Sequence, residues 1–245
     1  MRLAVIADIH GNLPALQAVL ADIARRDADR IVNLGDCVSG PLWPRETMDF
    51  LEALELLTVR GNHDRWVAET PPEHMFPSDA FAHDVLTPRQ RAALGALPPQ
   101  CEVSVGITAV HGTPSDDNQY LLEDVAEARL VLAKPATIAR RLTGLKSRLL
   151  LCAHSHLPRI VISSDGMLIL NPGSVGCPAY SDPTPPAHVS ESGSPHARYA
   201  VLSQRAGAWS VELIAVEYDW NAASSRAAQN ARPEWAQALG TGFVS

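Results

Sequence analysis

The sequence predicts an α/β protein with mixed sheets. Two observations carry that expectation. Short aliphatic runs alternate with longer amphipathic stretches through the first sixty residues, which implies right-handed crossovers and a parallel sheet core. After residue 152 the pattern changes to hairpins, which add antiparallel strands.

Leu3 to Ala7 is a continuous aliphatic run of strand length. Asn12 then stands before LPALQAVLADIARR, where Leu13, Leu16, Val19, Leu20 and Ile23 fall on one stripe of a helix. Asn12 suits the N-cap and Pro14 the first turn. Ile31 to Leu34 is expected as a second strand, Glu46 to Leu56 as a second helix, and Leu57 to Arg60 as a third strand. A helical and irregular insertion follows near residues 66–100. It contains ETPPEHMFPSD and then Thr87-Pro88-Arg89-Gln90, a capping box with proline at the first helical position. Cys101 to Val105 and Ile107 to Val110 are expected as strands about Gly106. Residues 122–145 are expected to be helical with a break at Pro135, and Arg148 to Cys152 to be a strand. Arg159 to Ser163 and Met167 to Leu170 form a hairpin across Asp165-Gly166. Tyr199 to Ser203 and Trp209 to Val216 form another across Arg205-Ala206-Gly207. The Pro-, Ser- and Gly-rich stretch 177–196 between them is expected to be one long loop. Trp220 to Leu239 suits one or two short helices. No repeat or linker is visible, so residues 1–245 are expected to form a single domain.

Composition narrows the class. The chain has 245 residues, 46% hydrophobic and 19% charged, with a mean hydropathy of −0.02. A chain of this size buries roughly 70–75% of its unfolded surface, enough for a core without disulfides or structural metals. Twenty Lys and Arg against 27 Asp and Glu give a net charge of −7, which argues against a dedicated binder of nucleic-acid polymers or anionic membranes. No apolar run approaches the ~20 residues of a membrane span. The opening MRLAVIADIHGN lacks the pattern of a signal peptide. Cys37, Cys101, Cys152 and Cys177 are widely spaced and form no C-x-x-C pair, which fits reduced thiols in a cytoplasmic protein.

The chemistry gathers at strand ends. Asp8 and His10 follow the first expected strand, Gly35-Asp36 the second, and Gly61-Asn62-His63-Asp64 the third. His111-Gly112 and Ala153-His154-Ser155-His156 follow two later ones. In open α/β sheets ligands bind at the carboxyl ends of strands, so these groups are expected to converge on one rim. Asp8, His10, Asp36, Asn62, His111, His154 and His156 are too many ligands for one ion of four to six coordination. Two ions sharing a carboxylate use them well. Imidazole, carboxylate and amide oxygen without a thiolate pair suit Mn, Fe, Zn or Ni, with Mn first. Paired divalent ions are the usual device for phosphate-ester hydrolysis, through a metal-bridging hydroxide. Charge agrees: about +4 from two ions, −2 from two carboxylates and −1 from hydroxide leave the site positive inside an acidic protein.

D-x-H, G-D, G-N-H-D, H-G and H-x-H in this order resemble the calcineurin-like metallophosphoesterases, in particular the bacterial and archaeal phosphodiesterase-like members. N-P-G-S-V-G at Asn171 to Gly176 also fits. The resemblance implies a sandwich of two mixed sheets flanked by helices, in four αββα layers. It implies one ion held by Asp8, His10, Asp36 and His156, and a second by Asp36, Asn62, His111 and His154, with Asp36 shared. His63 matches the histidine that stabilises the phosphate or protonates the leaving group, and Asp64 the acid that orients it. Asp64 can alternatively cap the helix starting at Arg65. The last motif departs from the family in carrying Ala153 where glycine is usual, which would strain a turn that needs an unusual backbone angle.

The expected function is therefore a dinuclear phosphodiesterase acting on small phosphodiesters or nucleotides. The alternatives are a phosphomonoesterase or phosphoprotein phosphatase, a non-catalytic scaffold of the same fold, and a single-metal hydrolase acting at carbon. Each motif residue taken singly suits turn or capping duty; the joint pattern favours ligation. His74 and His83 are expected at the surface, and His188 and His196 in the long loop. Cys37 and Cys152 read as small buried residues. Arg140, Arg141, Lys146 and Arg148 read as a solvated helix face, while Arg45 and Arg65 follow site loops within reach of a phosphate.

Overall fold

In the computed structural model, which describes residues 1–245, the first aliphatic run is strand β1 (Arg2–Ile6) and the first amphipathic stretch is helix α1 (Leu13–Ala24). Asn12 caps α1 by accepting a hydrogen bond from the Ala15 amide. β2 (Arg30–Asn33), α2 (Pro44–Glu52), β3 (Leu57–Thr58) and α3 (Asn62–Glu69) continue the alternation. A 3-10 turn at Pro72–His74, α4 (Pro77–Val85) and α5 (Pro88–Gly95) make up the helical insertion, and α5 opens on the Thr87/Gln90 capping box. Then come β4 (Gln100–Ser104), β5 (Ile107–Val110), β6 (Glu123–Ala126), β7 (Arg129–Leu132), α6 (Pro135–Arg141) and β8 (Leu149–Leu151). The chain closes with β9 (Arg159–Ile162), β10 (Leu168–Asn171), β11 (Ala179–Asp182), β12 (His188–Glu191), β13 (Ala197–Arg205), β14 (Ala208–Val216), α7 (Trp220–Gln229) and α8 (Pro233–Thr241).

Two mixed five-stranded sheets form the sandwich, in the orders β14-β13-β1-β2-β3 and β4-β5-β8-β10-β9. β1, β2 and β3 are parallel in the first, and β5, β8 and β10 in the second. Leu3, Val5, Val32, Leu34 and Leu202 of one sheet meet Ile107, Ala109, Leu149, Leu151 and Leu170 of the other in a continuous apolar layer. Period-2 alternation sends the remaining strand residues outward. Ala4, Ile6 and Tyr199 pack under Leu16, Val19 and Ile23 of α1, while Leu150, Cys152 and Ile169 pack under Ile138 of α6 and Leu142 at its C-cap. Helices thus cover both outer faces, which gives the four layers.

Two stretches differ from expectation. Residues 122–134 form the hairpin β6–β7, and only Pro135–Arg141 is helical. Glu and Ala favour a helix locally. Pairing of β7 with β12 overrides that preference, and the hairpin turns at Glu127 and Ala128, both at positive φ. The supposed loop 177–196 contains β11 and β12, which join β7 and β6 in a third sheet of order β11-β12-β7-β6. Its apolar residues are too sparse to announce strands. Arg141 also departs from a solvated role: it donates to the Leu121 and Glu123 carbonyls and pairs with Asp124, tying α6 to β6. All four cysteines are free, and no helix is long and apolar enough to cross a membrane.

The loop after β10 seals the first βα turn. Val175 and Gly176 donate their amides to the Ala7 and Asp8 carbonyls. A Cβ on Gly176 would lie 1.8 Å from the Ile9 carbonyl oxygen, so only glycine fits. Gly176→Ala is expected to cost about 3 kcal/mol in overpacking, read as a lowered denaturation midpoint. An unchanged midpoint would show that the two loops do not press together.

Candidate metal centre

The parallel strands of both sheets deliver their carboxyl ends to one rim. Asp8 and His10 leave β1, Asp36 leaves β2, Asn62 opens α3 after β3, His111 leaves β5, and His154 and His156 follow β8. Six of the seven side chains assemble there, and Asn62 is buried directly after Gly61, whose backbone lies against Asp36. The ligand atoms of Asp8, His10 and His156 lie within 4.8 Å of one another, and so do those of Asp36, His111 and His154. Asp36 stands between the groups, with Oδ2 3.2 Å from His111 Nε2 and 3.9 Å from His10 Nε2. Asp8 Oδ1 lies 3.6 Å from His156 Nε2 and 3.9 Å from His111 Nε2.

The backbone is bent to make this cluster. Asp8, His10, Asp36, His154 and His156 all occupy the left-handed region, with φ between 50° and 71°. Such residues cost of order 1–3 kcal/mol each and persist only where their surroundings over-determine them. Here the loops are stitched together: Asp8, His10 and Gly11 amides donate to the Gly35, Asp36 and Cys37 carbonyls. Ala153 is not in that region, so the alanine in the last motif brings no left-handed strain. Gly61 is obligatory for another reason, since a Cβ there would meet Asp36 Oδ1 at 2.1 Å.

Hydrogen bonds aim the imidazoles. His10, His111 and His156 each donate Nδ1–H to a backbone carbonyl, of Ser39, Leu34 and Cys177, at 2.7 Å. Their Nε2 atoms are thereby turned into the cluster. Burial pushes His10 down to about 4, His154 to about 3, and His156 well below the usual histidine range. These rings are neutral, the form that offers a lone pair to a metal. Burial opposes ionisation of Asp36, yet His111 and His63 hold it well below the carboxylate range. Against the same burial, Asp36 raises His111 to about 10. Asp8, deep in the protein and beside Asp36, is pushed up.

The donor set fits paired divalent cations. His10 Nε2 and His156 Nε2 lie 3.2 Å apart. With both Nδ1 protons committed to carbonyls, two neutral rings direct lone pairs at each other. A cation between them turns that repulsion into ligation. Both Asp8 carboxylate oxygens, Asn62 Oδ1 and His111 Nε2 are buried without a hydrogen-bond partner. Unpaired buried polar atoms are costly unless something else binds them, and those of Asp8 and His111 belong to the two ligand groups.

His63 sits beside this centre on the first turn of α3, its side chain 26% exposed. Its amide donates to Asp36 Oδ1 at 2.9 Å. The expectation that Asp64 orients the ring is overturned. Asp64 accepts from the amides of Asp36, Cys37 and Gly61 at 2.9–3.0 Å, so it staples two site loops and caps α3. The carboxylate on His63 is Asp79, from α4, with Oδ1 2.7 Å from Nδ1. Burial works against it, but Asp79 and then Asp36 raise His63 to about 9. Nothing near Asp79 in the sequence resembles a motif; its one signal is an acid in an otherwise apolar helical face beside Ala82.

Other residues line the rim. Tyr120 stacks on His154 with centroids 4.6 Å apart, and Tyr180 meets the His156 ring edge-on at 4.7 Å. Tyr120 also bonds Tyr180 and His188 at 2.8 Å, which places His188 of β12 behind the site and not in a mobile loop. Trp66 lies edge-on to His63 at 4.8 Å and touches Phe76, which is 50% exposed. Arg65 is held by Asp117 through two bonds of 2.8 and 2.6 Å. Cys37 and Cys152 are buried, and His74 is exposed, while His83 is half-buried.

Comparison with known proteins agrees with this geometry. Residues 1–166 match the model of the calcineurin-like phosphoesterases. The chain is 27% identical, over 95% of its length and 94% of the relative's, to the uncharacterized protein MJ0912 of Methanocaldococcus jannaschii. Its fold superposes on a metallophosphoesterase from Sphaerobacter thermophilus with a TM-score of 0.76 and 25% identity, covering 99% of this chain and all of that one. It also superposes on the hypothetical protein PH1004 from Pyrococcus horikoshii OT3 with a TM-score of 0.77 and 23% identity, covering 99% and 98%. A metal-dependent phosphoric ester hydrolase is the class that fold and family define. The chain belongs to the calcineurin-like phosphoesterase family.

Proposed function

We propose that the protein is a cytoplasmic dinuclear phosphodiesterase that hydrolyses small phosphodiesters or nucleotides, with Mn as its favoured ion and Fe, Zn or Ni as substitutes. Asp8, His10, Asp36 and His156 would hold one ion, and Asp36, Asn62, His111 and His154 the other. The observation that carries this reading is the facing pair of neutral imidazoles, His10 and His156, beside a carboxylate that reaches both ligand groups.

When bound, two divalent ions activate a water and neutralise charge on the phosphoryl oxygens. The chain's own residues supply binding, orientation and proton delivery. His63, charged through its contact with Asp79, donates a proton from Nε2 to the departing ester oxygen. Asp64 holds the Asp36 and Gly61 loops at the spacing this needs.

A diester suits the charge of the rim better than a monoester. Asp8 and Asp36 pair with imidazoles alone, and Arg65 is engaged by Asp117, so the second negative charge of a monoester finds no free guanidinium in these contacts. Trp66 and half-exposed Phe76 offer apolar surface beside His63 for a second ester substituent.

The test combines metal analysis with turnover of bis-aryl and mono-aryl phosphates in added Mn. Two ions per chain and a higher kcat/KM for the diester are expected. A preference for the monoester overturns the diesterase assignment, one ion per chain removes the shared carboxylate, and no turnover by loaded protein leaves a binding scaffold.

A further inference from the structure

We propose that Asp79, which lies outside every motif of the chain, is the residue that positions His63 for catalysis; this rests on the proton-donor role of His63 given above. Asp79 is fully buried, and one of its oxygens, Oδ1, takes both His63 Nδ1–H and Ser39 Oγ–H at 2.7 Å. His63 is its only ion-pair partner. A carboxylate can only accept, so it fixes Nδ1 as the protonated ring atom and leaves Nε2, on the opposite edge, for the substrate. Ser39 Oγ also lies 3.3 Å from His63 Nδ1, but its proton goes to Asp79, and the ring contacts with Trp66 at 4.8 Å and His10 at 5.4 Å limit tilt without distinguishing the two nitrogens. Asp79 makes that distinction.

The rest of the neighbourhood is built around this contact. Ser39 donates its hydroxyl to Asp79 while its carbonyl accepts from His10 Nδ1–H, so one residue registers the proton donor against a ligand of the centre. Asp79 stands in the first turn of α4, where an acid can serve the helix dipole, but it makes no capping bond there. Both of its bonds go to the site. The helix that carries it is seated firmly: Ala82 and Leu86 pack with Val67 and Met48, and Arg232 donates to Ser78. A site residue on a packed helix is held more closely than one on a loop. The insertion therefore belongs to the catalytic apparatus.

Asp79→Ala and Asp79→Asn, each alone and in a His63→Ala background, test the proposal on the metal-loaded enzyme. Asp79→Ala is expected to keep two ions, change KM less than about threefold and lower kcat by about 10–100-fold, the range for losing a carboxylate that orients a site histidine. Asp79→Asn recovers part of that loss, because its amide oxygen still accepts from Nδ1–H. In the His63→Ala background Asp79→Ala changes kcat less than about twofold, the mark of a residue acting through another. Equal losses in both backgrounds, loss of an ion, or an unchanged kcat overturns the assignment. Should the alanine variant fail to fold, the asparagine variant decides: wild-type kcat in a protein of unchanged melting temperature rejects the role. A wild-type enzyme that hydrolyses no phosphate ester refutes the proposed function itself, an outcome distinct from an active enzyme indifferent to Asp79.

Discussion

His63→Ala is expected to keep both metal ions and lose about 10²–10⁴-fold in kcat, the usual contribution of a positioned general acid. The ring belongs to neither ligand group, and the link between this residue and Asp36 runs through the His63 backbone amide, which alanine retains. Metal binding and catalysis therefore separate in this variant. The loss should be steepest for esters with poor leaving groups, which most need a proton. Metal content and kcat measured on the same preparation check both halves, and wild-type turnover removes His63 from the mechanism.

Asp36→Asn is expected to weaken both ions together, by at least about a hundredfold, since even loss of a group that only hydrogen-bonds a metal ligand costs about 10–100-fold in affinity. Oδ2 is the atom that reaches both groups, 3.2 Å from His111 and 3.9 Å from His10, while Oδ1 is engaged by the His63 amide. An amide at this position withdraws a full negative charge and presents either an N–H donor or a poorer acceptor to the centre. Dialysis followed by metal analysis reads the result. A variant that retains two ions shows that Asp36 is not shared.

The two variants probe residues that were legible for different reasons. Asp36 sits in a Gly-Asp pair directly after an aliphatic run, where strand-end geometry alone places it on the rim. His63 was visible only through its neighbours Gly61, Asn62 and Asp64. Its orienting partner was not. Asp64 is adjacent in sequence, but a residue one position along a helix points about 100° away, toward the Asp36 and Gly61 amides. Asp79 lies sixteen residues further on and reaches the ring because α4 folds back over α3.

The fold shows the same division. The three parallel strands, α1 and both terminal hairpins follow from periodicity, because each buries a face whose spacing is written locally. β6, β7, β11 and β12 do not, because they are short, three of them carry few apolar residues, and the two hairpins they form are joined into a sheet only by pairing of β7 with β12, about sixty residues away.

Residue order alone determined the strand–helix alternation, the rim expected to gather the chemistry and the seven ligand candidates, since strand period and strand-end placement are local properties of a chain. The sandwich was implied by the family resemblance of the ordered motifs. Tertiary contact decided the third sheet, the seating of α4 and the choice of Asp79 over Asp64. Those outcomes depend on which distant groups are left facing one another once the core has closed, and pairing across space leaves no periodic mark along the chain.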